Sequence, residues 1–234
     1  MSTYCNAFPG IYIENLDDRV FFDRGKHGGF GDDKKKKMGY EFKSRVTMYL
    51  HELRSRPLGK RLIQEISDRC RRKKFKVMIL YNDIANCGPY PKADSTALAE
   101  LVAGGEVAFR KGNEGFRKCV GGKGTHAAVF FNPDNKMGAD GNERPVAISL
   151  AHELIHAHHF VHGTCARVIR LEERNTHLVN DLDCGLGEEE ARTIGLGPYA
   201  NEELSENAFR LLYNQPLRTF YIPSITLKNV VRTG

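Results

Sequence analysis

His152 and His156 stand four residues apart with Glu153 directly after the first, which makes the pattern His-Glu-x-x-His. On a helix, residues at i and i+4 share a face, so both imidazoles can reach one zinc ion while Glu153 stands beside the water that ion holds. A catalytic zinc takes three protein ligands and keeps one position for water, lowering its pKa from about 15.7 to about 7. A carboxylate beside that water can take its proton during attack on a peptide carbonyl and later pass it to the leaving amine. The combination reads as a metallopeptidase.

Five residues with two free positions also arise by chance, and histidines on a helix are often surface or core residues. The surroundings favour the site. Val146-Ala147-Ile148-Ser149-Leu150-Ala151 precedes the motif, Leu154, Ile155 and Phe160 follow within it and after it, and Pro145 suits a first helical turn. A largely buried amphipathic helix is expected here, and such a helix has few structural reasons to carry two histidines and a glutamate.

The third ligand has two candidate sources. His162 lies ten residues after His152, the spacing of the His-Glu-x-x-His-x-x-Gly-x-x-His zinc motif. That motif needs a glycine to turn the chain where this sequence has His159, and a methionine turn downstream, whereas Met1, Met38, Met48, Met78 and Met137 all precede the motif. The other source is the acidic cluster Glu188, Glu189 and Glu190, which opens a later helical pattern. Acidic residues also suit a helix N-terminus for its dipole alone, and spacing does not choose among the three.

A chain of 234 residues supports one sizeable core, and 41% hydrophobic with 27% charged residues is ordinary for a soluble globular protein. No apolar run approaches the roughly 18 residues of a membrane span, so no membrane partner is expected. Met1 to Gly10 has neither a basic nor an apolar leader region, which predicts no cleavable secretory signal. Six scattered cysteines, Cys5, Cys70, Cys87, Cys119, Cys165 and Cys184, without a Cys-x-x-Cys pair, favour reduced thiols. The net charge of +6 draws on Lys34 to Lys37 and on Arg69, Arg71, Arg72, Lys73 and Lys74. These runs read as solvated flanks; without interleaved aromatics they do not form a nucleic-acid stacking platform.

Residues 16 to 40 are rich in Gly, Asp and Lys and read as loop. Helices are predicted around Phe42 to Leu53, from Leu58 to Arg72 and over a short piece from Ala97 to Ala103, and strands near 75 to 82, at Glu106 to Arg110 and at Thr125 to Phe131. Residues 83 to 96, with Gly88-Pro89-Tyr90-Pro91, read as loop, and Gly121 to Gly124 as a turn. Further helices are predicted from Glu188 to Ile194 and from Glu202 to Tyr213, then a short extended segment from Leu217 to Tyr221. The division expected is an N-terminal segment 1–40, partly flexible, and a zinc peptidase domain 41–234.

Leu150 to His159, followed by Glu189-Glu190-Ala191-Arg192-Thr193-Ile194-Gly195, Glu206-Asn207-Ala208-Phe209-Arg210-Leu211 and Arg218-Thr219-Phe220-Tyr221, resembles the NleD-type metallopeptidases. These are effectors injected through type III secretion systems, and they share these motifs with clostridial neurotoxin light chains. The resemblance implies a compact α+β zincin-like fold with a small sheet beside the active-site helix, a glutamate-ligand zinc site and one zinc per chain. It implies Glu189 as third ligand beside His152 and His156, with Glu190, orienting a histidine, and Glu206 standing behind the ligands. Arg218 and Tyr221 would stabilise the oxyanion beside the general base Glu153. It further implies a host protein substrate, a mitogen-activated protein kinase of the JNK or p38 type cut in its activation loop, and delivery to the host cytoplasm by a non-cleaved secretion route. A substrate strand is expected along a sheet edge near Thr125 to Phe131. The rival expectations are a catalytically silent metal-binding interaction protein and a nucleic-acid-associated metallopeptidase.

Overall fold

The computed structural model describes residues 4–14, 32–81, 86–90, 122–137, 142–165 and 186–219. Its elements in chain order are β1 (Tyr4–Phe8), β2 (Ile11–Glu14), α1 (Asp32–Arg54), α2 (Pro57–Lys73), β3 (Val77–Tyr81), β4 (Asn86–Tyr90), β5 (His126–Phe131), α3 (Val146–His162), α4 (Leu186–Ile194), a 3-10 turn (Gly197–Tyr199) and α5 (Glu206–Leu212). Among the described residues the architecture is mixed α+β with a small five-stranded sheet, in the strand order β1-β2-β3-β5-β4. The pieces predicted at Ala97 to Ala103 and Glu106 to Arg110 lie outside the described residues.

β3 reads Val-Met-Ile-Leu-Tyr with no polar alternation, as a strand covered on both faces does. Val77 to Leu80 are buried, and β3 pairs in parallel with β2 on one side and β5 on the other. β5 is buried along its whole length and also pairs antiparallel with β4. It therefore has no free edge, which corrects the expectation of a substrate strand along Thr125 to Phe131. Among the described strands the outer position belongs to β4, a segment expected as loop because of Gly88 and Pro89; an edge strand tolerates proline's missing N–H donor. The β1–β2 hairpin was also missed, although Ile11 and Ile13 alternate with Tyr12 and are both fully buried. Residues 4–14 thus contribute two strands to the sheet.

α1 begins at Asp32, ahead of its apolar stripe Phe42, Val46, Leu50 and Leu53, so Lys34 to Lys37 lie on helix rather than in a loop. α2 matches its predicted span closely, with Pro57 in the first turn and Lys74 ending it in the left-handed region at φ 60°. Arg69, counted among the solvated cations, instead donates to Val161 O at 2.9 Å and fastens α2 to the last turn of α3.

α3 packs against β5, β4, α1 and α2, and every residue from Val146 to Ala157 is buried. It is therefore apolar nearly all round rather than one-sided, as a central helix must be. Its end is set by Gly163 at φ 72°, whose N–H reaches back to His159 O and Phe160 O. Gly124, at φ +74°, lies so close to α3 that a Cβ there would meet Val161 O at 2.2 Å. That close approach lets Thr125 N–H bond Phe160 O at 3.0 Å and start β5 against the helix.

Cys70 is a buried free thiol, its pKa pushed up to about 12 by burial. Cys165 is disulfide-bonded, which departs from the reduced state expected from scattered spacing. No helix among the described residues is long and apolar enough to cross a membrane.

Candidate metal centre

α3 brings His152 Nε2 and His156 Nε2 to 3.2 Å of each other, as i,i+4 residues allow. α4 adds Glu190, whose Oε2 is 3.2 Å from His152 Nε2 and whose Oε1 is 3.0 Å from His156 Nε2. Among the described residues these three form the group able to share one ion, and all are buried. Ligands of a tetrahedral zinc, at bond lengths of about 2.0–2.1 Å, stand about 3.3 Å apart. The site therefore has the dimensions of a zinc site.

The opposite face of each imidazole decides which nitrogen is free. His152 Nδ1 lies 2.8 Å from Glu206 Oε2, and His156 Nδ1 lies 3.3 Å from Glu189 Oε1 and 3.2 Å from Thr193 Oγ1. A carboxylate only accepts, so each Nδ1 carries the proton and each Nε2 turns its lone pair toward the shared centre. Glu189 Oε1 also meets His159 Nδ1 at 2.5 Å. His152, His156 and His159, at i, i+4 and i+7, line one face of α3.

The geometry sets Glu190, rather than Glu189, on the Nε2 side of both imidazoles. Consecutive helical residues point about 100° apart, so α4 can turn only one carboxylate to the Nε2 side; that one is Glu190, and Glu189 falls behind His156. Glu188 side-chain placement lies outside the described residues. His162 is not drawn into the centre: its Nδ1 bonds His158 O at 2.9 Å, and its ring lies against that of His158.

Glu206 is fully buried and satisfied by four partners. Oε1 accepts from Arg144 Nη1 at 2.9 Å and Arg210 Nε at 2.7 Å; Oε2 accepts from Arg218 Nη1 at 2.9 Å besides facing His152. Arg144 Nε also donates to Ser149 Oγ at 2.9 Å. A buried carboxylate is tolerable only with such compensation. Arg144, which no sequence pattern singled out, thus ties the start of α3 to α5, while Arg218 stands in the same network. Tyr221 lies outside the described residues.

Burial alone would lower the pKa of His152 and His156, but Glu190 with Glu206, and Glu190 with Glu189, outweigh it and raise both, His156 strongly. Against the same burial, the imidazoles and arginines hold Glu189, Glu190 and Glu206 below the ordinary carboxylate range. The charged forms of the imidazoles and the carboxylates thus favour one another. Glu153 differs: burial raises its pKa against the pull of His152 and His156. A carboxylate tuned upward beside a metal-sized cluster suits proton transfer.

In structure the chain is similar to the light chain of Clostridium botulinum neurotoxin serotype F, at 20% identity over 88% of this chain and 59% of that one, with a TM-score of 0.46. A second structure, the catalytic domain of the same serotype F neurotoxin, aligns at 15% identity over 88% of this chain and 66% of that one, with a TM-score of 0.43. The chain thus spans less than two thirds of the length of either. No curated protein matches it in sequence. The effector protein model Peptidase M91 matches residues 31–221, a stretch that runs from the start of α1 through the His-Glu-x-x-His helix to end on Tyr221, and the chain belongs to that family of NleD-type metallopeptidases.

Proposed function

We propose that this chain is a zinc-dependent endopeptidase of the glutamate-ligand class, holding one zinc ion on His152, His156 and Glu190. The observation that carries this reading is the convergence of two Nε2 atoms and a carboxylate at 3.0–3.2 Å with both Nδ1 atoms tied to carboxylates behind. Bound zinc supplies an acidified water and a Lewis acid for the scissile carbonyl. Glu153 accepts the proton of the attacking water and returns it to the leaving amine. Arg218 lends its guanidinium to the developing oxyanion, with Tyr221 three residues on as the second donor. Glu189 and Glu206 keep the two imidazoles in the ligating tautomer. β4, the outer strand beside β5, offers the edge along which a substrate strand can pair.

The substrate we propose is a host mitogen-activated protein kinase of the JNK or p38 type, cut in the activation loop after delivery to the host cytoplasm by type III secretion; the family resemblance supports it. Mass spectrometry of host-cell extract incubated with wild type and with Glu153→Ala tests both parts. Fragments ending within kinase activation loops, present only with wild type, are expected. Wild-type cleavage confined to other proteins removes the kinase assignment and keeps the peptidase, and identical extracts with both proteins remove the peptidase.

A further inference from the structure

Asn207, the second residue of α5, holds both peptide groups of Arg218. Its Oδ1 accepts from Arg218 N–H at 2.7 Å, and its Nδ2 donates to Arg218 C=O at 2.9 Å. The same Nδ2 lies 3.4 Å from Gly195 O, just past the helix that carries Glu189 and Glu190. A neighbouring strand would offer Arg218 the same donor and acceptor pair. Residues 215–219 have no regular structure to supply one, so a single side chain does it. Glu206, the residue before Asn207, binds the guanidinium of that arginine. Two consecutive residues of α5 therefore grip Arg218 at its backbone and at its side-chain tip.

We propose that Asn207 is a positioning residue for the oxyanion group, fixing the backbone of Arg218 so that the guanidinium Glu206 holds stays in register with the metal centre. This rests on the reading of Arg218 as oxyanion donor. The side chain needed is specific. Asparagine presents one acceptor and two donor hydrogens at the spacing of a peptide group; aspartate keeps the acceptor but turns a second one on Arg218 C=O, and alanine offers neither. Glu206 by itself grips the far end of a long, flexible stem, whereas Asn207 grips its root.

The test is a double-mutant cycle on the full chain, with Asn207→Ala and Arg218→Ala singly and together, read as the rate of fragment appearance in host-cell extract. Displacements of about 1 Å cost up to about 10²-fold, so Asn207→Ala is expected to slow cleavage by about tenfold with zinc content and melting temperature kept. In the Arg218→Ala background it should slow cleavage no further, because coupled residues are not additive. Asn207→Asp should fall between alanine and wild type. Equal slowing in both backgrounds, or none in either, overturns the proposal. Amide hydrogen exchange at Arg218 needs no substrate and separates this claim from the peptidase reading. Protection in wild type, lost in Asn207→Ala while α3 stays protected, supports the clamp even in an inactive protein; an Arg218 amide that exchanges freely in wild type overturns it.

Discussion

Helix α3 carries two histidine pairs at the same i,i+4 spacing, and they meet different fates. His152 and His156 turn their Nε2 atoms together, each with a buried carboxylate at Nδ1, and both have raised pKa values. The rings of His158 and His162 lie tilted against each other with centroids 4.2 Å apart, but His158 Nε2 goes to Glu65 at 2.8 Å and His162 Nδ1 to the backbone of its own helix. Burial and the neighbouring His162 and His159 push His158 down to about 3. Spacing alone makes a pair of imidazoles. Carboxylates from other elements, aimed at the right nitrogens, make a candidate metal site.

The largest expected effect concerns chemistry at the first pair. Glu153→Gln should reduce turnover by about 10²–10⁴-fold, the usual contribution of a general base, with zinc retained in a metal assay of the purified protein. Next come the two adjacent glutamates of α4, Glu190 on the Nε2 side and Glu189 behind His156. Glu190→Ala should empty the site on dialysis, whereas Glu189→Ala should weaken zinc by about 10–100-fold, as loss of an orienting partner does. The opposite ranking in a zinc titration would restore Glu189 as ligand.

The pH response of chelator-treated protein separates the pairs further. Glu189, Glu190 and Glu206 have lowered pKa values, so their contribution to stability is present above about pH 4.3 and is lost on acidification. His152 and His156 have raised values, so theirs is complete below about pH 6.5 and is lost as pH rises through the folded values. Metal-free protein should melt highest between these limits. Zinc should remove the alkaline decline, since it takes the place of the protons. An identical alkaline decline with and without zinc, followed by melting temperature, would count against the shared centre. The smallest effect is expected at the second pair, where His162→Ala should leave zinc content unchanged; loss of the metal there would bring back the histidine-ligand alternative.

Much of the site was legible in the chain. His152, Glu153 and His156 follow from spacing, α2 and α3 from apolar periodicity and their Pro and Gly boundaries, and β3 from an uninterrupted apolar run. The misses have physical causes. β4 hid behind Pro89, which only an edge position excuses. The β5 edge was misjudged because pairing partners far apart in the chain leave no local mark. Arg144 and Asn207 act through contacts to residues distant in the chain, with no period to betray them.

The sequence settled which residue types could do zinc chemistry and that a helix carries them, because helical spacing is local and a motif of five residues contains it. Tertiary structure alone decided which of two adjacent glutamates faces both Nε2 atoms, which histidine pair converges on one carboxylate and what holds Arg218. Each of those outcomes depends on the rotation and depth at which α4 and α5 dock on α3, and packing between elements sets these, not the residues within any one of them.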